Sequence, residues 1–264
     1  MPIRLGAVSY LNTRPLVYGL EGHQDRFDVR FDVPARCADL LHANEVDLGL
    51  IPSIEYPGHD YRIVPGVSIA SDGPVESVAI FARRSIDAVR SIAVDISSRT
   101  SAALLKVLCA RWFRIEPRFV AMAPDLPAMF EECDAALVIG DHALFAEHER
   151  LHAEKIDLGE QWVRMTGLPF VYAFWAGRPG IVTAADTAAL GAARDEGVNA
   201  IDKIGKASFP DNPRCAAVAE RYLRENVKYA LGEPEVTGLR TFFALAAEVG
   251  VLARAEAPRF YDED

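Results

Sequence analysis

A two-lobed α/β fold, each lobe a mixed sheet flanked by helices with a ligand cleft between them, is what the sequence predicts. Short apolar strands alternate with helix starts through the first two thirds of the chain. The same strand–helix–strand–helix–strand grammar is written twice. Segments 47–52 and 134–140 hold matching places in the two copies, each an Asp followed by an apolar run and a turn residue. Two strands of like composition, residues 78–83 and 171–178, bracket the second copy, and each ends in arginine. Two crossing strands are what a hinge requires. They place one lobe at residues 1–83 plus 177–264 and an inserted lobe at 84–176, with the cleft between. A single continuous mixed sheet without a hinge is the alternative.

In chain order, residues 3–8 form a short apolar strand. Thr13-Arg14-Pro15 reads as a helix start, with proline suited to the first helical position. Residues 27–33 alternate strictly, as a half-exposed strand does. Residues 35–42 have helical spacing, and 47–52 make a buried strand ending in a turn. In the second copy, 91–95 is a strand, and Ser97 or Ser98 caps a helix whose apolar face is Leu104, Leu105, Leu108 and Trp112. Residues 118–122 are a strand, 125–131 a short helix and 134–140 a buried strand. The remainder is helical. Thr183 caps a helix running to about Gly205, and Asp211 with Pro213 starts another that ends before Gly232. Thr237 begins a third, which Gly250 closes. The acidic end, residues 261–264, reads as frayed.

Half of the 264 residues are apolar and a quarter are charged, an ordinary globular composition. No apolar run approaches the roughly 20 residues that cross a bilayer. The N-terminus enters a strand without the apolar stretch of an export signal, so the protein is expected in the cytoplasm. Cys37, Cys109, Cys133 and Cys215 lie singly in apolar periodic segments, the pattern of buried thiols in a reducing compartment. The histidines show neither HExxH nor paired Cys/His spacing, so no metal is expected. Walker and GxGxxG spacings are absent, so no nucleotide cofactor is expected either. The net charge of -10 argues against nucleic acid and an anionic membrane surface as partners. It leaves a small anion open, because helix N-termini and one or two arginines make a cleft locally positive. A homodimer is left open as well.

Ligands of doubly wound lobes sit beyond the carboxyl ends of the strands. Four segments fall there: Ser9-Tyr10-Leu11-Asn12-Thr13, the turn 71–77 before the first crossing strand, Asp95-Ile96-Ser97-Ser98-Arg99-Thr100-Ser101, and Ile139-Gly140-Asp141-His142. The third is the richest in chemistry. Hydroxyls, backbone amides and a helix dipole gathered at one helix start favour a carboxylate or phosphate, although a plain N-cap would use only one of the hydroxyls. Asn12 and Thr13 could cap, and Tyr10 could simply pack. Asp72 and Glu76 read as surface turn acids, Ser77 is open to either reading, and His142 reads as solvated. No Ser/His/Asp order or GxSxG elbow appears, so the site holds an anion better than it performs nucleophilic catalysis.

The stretch Gly6-Ala7-Val8-Ser9-Tyr10-Leu11-Asn12-Thr13-Arg14-Pro15-Leu16 resembles the opening of the chorismate dehydratases of the futalosine route to menaquinone. The resemblance continues through 47–52, 75–81, 95–102 and 168–172. The sister enzyme that makes dihydroxynaphthoate usually opens with a Ser-Pro-Cys-Pro-Asn-Asp-type loop, which is absent here. The resemblance implies a type II periplasmic-binding-protein-like fold without export. It also implies removal of water from chorismate to give 3-[(1-carboxyvinyl)oxy]benzoate. Carried over by position, Asn12 is the catalytic candidate, and Ser9, Ser77, Ser97, Ser98 and Thr100 surround the substrate. Tyr10, Thr13, Ser101 and Gly140 complete the candidate set from the same loops. Asp95, Glu76 and His142 are poor candidates for a base, and the substrate's own enolpyruvyl carboxylate is the expected proton acceptor. The competing reading is a cytoplasmic small-anion binding protein on the same fold.

Overall fold

Residues 1–22 and 25–261 are described by a computed structural model. Residues 262–264 of the acidic end, expected to fray, lie outside the described residues. Among the described residues, ten strands run in chain order: β1 (Ile3–Val8), β2 (Phe27–Asp32), β3 (Leu48–Pro52), β4 (Arg62–Ser71), β5 (Val78–Ala82), β6 (Ser91–Asp95), β7 (Arg118–Met122), β8 (Ala135–Ile139), β9 (Glu154–Asp157) and β10 (Phe170–Gly177). They form two separate five-stranded sheets, ordered β2-β1-β3-β10-β4 and β7-β6-β8-β5-β9. The single-sheet alternative is thereby overturned.

The two orders are the same pattern. In the first sheet β1 pairs in parallel with β2 and β3, and β10 runs antiparallel between β3 and β4. In the second, β6 pairs in parallel with β7 and β8, and β5 runs antiparallel between β8 and β9. Residues 47–52 and 134–140, matched by pattern, are thus the equivalent strands β3 and β8. Both are buried at every position, as helices on both faces of a sheet demand, which is why they read as unbroken apolar runs. The edge strand β2 alternates instead.

The expected lobe boundaries need correction. Strand β5 belongs to the second sheet and β10 to the first, so the chain crosses before each strand and not after it. Residues 78–83 therefore join the second lobe and 170–176 the first. The antiparallel strand of each sheet is supplied immediately after a crossover, and composition does not reveal which sheet receives it.

The helices are α1 (Pro34–His42), α2 (Arg99–Leu108), α3 (Leu126–Glu132), α4 (Gly140–Leu144), α5 (Leu158–Thr166), α6 (Ala184–Asn199), α7 (Ile201–Ser208), α8 (Pro213–Arg221) and α9 (Glu233–Glu248). Several starts and stops differ from expectation. Residues 11–17 form a 3-10 helix with Pro15 inside it. Thr183 caps as expected through a reciprocal bond with Asp186, but the helix breaks at Ala200. Asn212, not Asp211, caps α8. Helix α9 begins before Thr237, because the Glu235 carboxylate takes the Gly232 N–H at 2.9 Å and Pro234 fills the first turn. Gly197 of α6 lets that helix rest on the site loop: a Cβ there would stand 2.1 Å from the Pro15 carbonyl oxygen. No helix among the described residues is long and apolar enough to cross a membrane.

Candidate active site

Where the two sheets face each other, the lobes meet around a partly open cavity of about 60 Å3. Its polar lining comes from four places: Tyr10 and Asn12 after β1, Ser77 at the crossover, Ser98, Arg99, Thr100 and Ser101 at the start of α2, and Tyr172 on β10. Gly140 closes the lining from the second lobe. The backbone at Gly140 has φ +60, and a Cβ would lie 2.6 Å from the Tyr10 ring. Only glycine allows that ring to lie flat against the second lobe.

Three candidates fall outside the lining. Ser9 is exposed and borders a neighbouring groove of about 740 Å3 with Arg14, Asp141 and Lys203. Thr13 is fully buried with its hydroxyl unpartnered, so it packs beneath the loop. Ser97 donates its hydroxyl to Asp95 at 2.7 Å and lies 3.3 Å from the Tyr10 phenol, so it braces Tyr10 from behind. Within the lining, the Thr100 hydroxyl accepts the Ile54 N–H of the first lobe at 3.2 Å. Its position serves closure of the lobes as well as the cavity. Ser98 stands at the N-cap of α2 but makes no side-chain cap bond. That leaves its hydroxyl and the first-turn amides of α2 for a ligand.

Lobe closure has its own contacts. Arg99 reaches from α2 to Asp39 at 2.7 Å and to Glu55 at 3.0 Å, both in the first lobe. The Leu11 N–H donates to the Asp141 carboxylate of the second lobe at 3.1 Å. Burial raises the Asp141 carboxyl above its ordinary value, while that hydrogen bond pulls the other way. Arg14 stacks over Phe31 at 5.1 Å and borders the neighbouring groove, not the cavity.

Among the described residues, those lining the cavity include no carboxylate, imidazole or amine. Asp95 bonds the Ser97 amide and hydroxyl at 2.8 and 2.7 Å. Glu76 is paired with Lys155 at 2.6 Å, and His142 is exposed. The buried phenols Tyr10 and Tyr172 have their pKa raised, chiefly by burial, and so act as neutral donors. Apart from Arg99, whose guanidinium is paired with Asp39 and Glu55, the polar lining is uncharged, and it holds one orphan, the Asn12 carbonyl oxygen, buried without a partner. Cys37 and Cys109 are buried free thiols pushed up to about 12, away from any nucleophilic role.

Two supports escaped the sequence reading. Asp157, capping α5, accepts the amides of Val75 at 3.1 Å and Glu76 at 2.6 Å. It fixes Glu76 at φ +64 immediately before Ser77. Tyr222, at the end of α8, donates its phenol to Ser77 at 2.7 Å.

Such a fold, two like sheets meeting around a cleft with a polar lining, defines a two-lobed α/β protein. A protein of Archaeoglobus fulgidus superposes with TM-score 0.77 at 18% identity, covering 95% of this chain and 98% of that one. A Candida albicans product described as having the generic periplasmic binding protein fold superposes with TM-score 0.67 at 12% identity, over 97% and 92%. Residues 3–248 match the family described as menaquinone biosynthesis, and the chain belongs to that family. A chorismate dehydratase of Thermus thermophilus is 32% identical over 280 residues, spanning 99% of each chain. One of Campylobacter jejuni is 28% identical over 174 residues, 64% of each.

Proposed function

We propose that this protein is a chorismate dehydratase, eliminating water from chorismate to give 3-[(1-carboxyvinyl)oxy]benzoate within menaquinone biosynthesis. The observation that carries the reading is a cavity between the lobes whose lining combines Asn12, Ser77, Arg99 and the α2 start but offers no carboxylate or imidazole to act as a base. Chorismate is a dianion. The first-turn amides and Ser98 hydroxyl of α2 hold its ring carboxylate, while Asn12 and Ser77 face the departing hydroxyl. The hydrogen removed sits on the ether-bearing carbon, within reach of the substrate's own enolpyruvyl carboxylate when the side chain folds inward. That carboxylate takes the proton, the C–H electron pair forms the ring double bond as the neighbouring C–O bond breaks, and the proton passes on to the departing hydroxyl, which leaves as water from a ring now aromatic. With aromatisation as the driving force, the protein's part is orientation, exclusion of water and donation to the leaving group. We place the reaction in the cytoplasm, supported by the unpaired thiols.

Purified protein mixed with chorismate, without added metal, nucleotide or flavin, is expected to release the enolpyruvyl benzoate. An analogue carrying a neutral amide in place of the side-chain carboxylate is expected to bind without reacting. Tight chorismate binding with no turnover would make the protein a receptor instead.

A further inference from the structure

Ser77 is held from two sides. Asp157 fixes the backbone ahead of it, and Tyr222 reaches its hydroxyl from the C-terminal part of the chain. Tyr222 opens a single π-turn, Tyr222–Asn226, a form found frequently at functional sites. Beyond that turn the chain runs back along the crossover that carries Ser77. The Asn226 side chain donates to the Pro74 carbonyl at 3.0 Å, and Lys228 and Ala70 exchange backbone bonds at 2.8 and 2.9 Å. Ser68 then donates to the Tyr229 carbonyl at 3.0 Å. This strap sets Tyr222 in register with Ser77. Tyr222 thereby ties this distant part of the chain to a polar residue of the cavity, Ser77.

We propose that Tyr222 is a positioning residue for the elimination, acting through Ser77. A serine hydroxyl has one hydrogen, free to rotate, and two acceptor lone pairs. With the Tyr222 proton seated on a lone pair, the Ser77 hydrogen is turned away from Tyr222 toward the cavity. Accepting a bond also makes that hydroxyl a better donor. Ser77 is thereby set as a donor to the departing hydroxyl before substrate arrives. Burial holds the phenol protonated, as this role needs. The assignment rests on the dehydratase reading.

Wild-type turnover of chorismate is measured first, and its absence defeats that reading by itself. Given turnover, Tyr222→Phe, which keeps the ring and removes the hydroxyl, is expected to lower kcat about 10- to 100-fold with KM within about twofold. In a Ser77→Ala background the same change should lower kcat by less than about twofold, since its effect passes through Ser77. A kcat equal to wild type, or full additivity with Ser77→Ala, overturns the assignment. Should Tyr222→Phe fail to fold, 3-fluorotyrosine placed at position 222 tests the same bond with the shape nearly kept. A change in kcat at constant KM supports the role, and an unchanged kcat overturns it.

Discussion

Gly140→Ala separates lobe closure from folding. An alanine at φ +60 sits in the left-handed region, which costs about 1–2 kcal/mol whether the lobes are open or shut. The second effect exists only when they are shut. The new Cβ would lie 2.6, 2.7 and 2.8 Å from three atoms of the Tyr10 ring, and that ring belongs to the other lobe. Overpacking of this kind costs about 1–3 kcal/mol, all of it charged against the closed state. The free-energy difference corresponds to a loss of about 5- to 150-fold in kcat/KM. Urea denaturation should show stability lower by about 1–2 kcal/mol, and the chorismate assay should show the larger fall in kcat/KM. Small-angle scattering with substrate present should report a more open particle. Lowered stability with wild-type kcat/KM would refute the reasoning, because the reaction would then not need Tyr10 seated on Gly140.

Arg99→Ala removes two ion pairs that join the lobes, to Asp39 and Glu55. Because its side chain is a third exposed, the expected loss is modest: KM up several-fold, and a weaker dependence of kcat/KM on salt. An unchanged salt dependence would remove these pairs from the closure mechanism. Asp141 predicts a pH effect. Burial raises its carboxyl in the folded protein, so its favourable contribution is complete below the ordinary aspartate range and is lost as pH rises through the raised value. Asp141→Asn keeps an acceptor for the Leu11 N–H and cannot ionise. Its Tm relative to wild type should therefore climb as pH rises above the ordinary aspartate range, and parallel Tm curves would refute the effect.

The paired grammar of the lobes was legible because β3 and β8 are buried on both faces and cannot alternate. The strands β4 and β9 were not: Pro65-Gly66 interrupts the first, and the second has four residues, too few to show a period. The candidate site divides the same way. Asn12 and the hydroxyls of Ser98, Thr100 and Ser101 stand at strand-to-helix turns, where backbone amides and helix dipoles point to an anion site in the sequence. Ser9, Thr13 and Ser97 stand at the same turns but face elsewhere, because successive loop residues point in different directions and only coordinates separate them. Tyr222 lies 145 residues beyond Ser77 and Asp157 82 beyond Val75. Each reads locally as a core phenol or a helix cap, and nothing in the intervening sequence joins the partners.

The placement of β10 between β3 and β4 dictates the order in which the chain can be completed during synthesis. All five strands of the second sheet lie within one stretch, 78–157, and can pair as soon as they emerge. The first sheet lacks its fourth strand until residues 170–177 are made, about 100 residues after β4. At ribosomal speeds of about 5–20 residues per second, β4 waits roughly 5–20 s for its central neighbour. The inserted lobe is therefore the first to mature, and the N-terminal lobe, synthesised earlier, finishes last. Through that interval the apolar edges of β3 and β4 are the ones a chaperone must shield from pairing with another nascent chain.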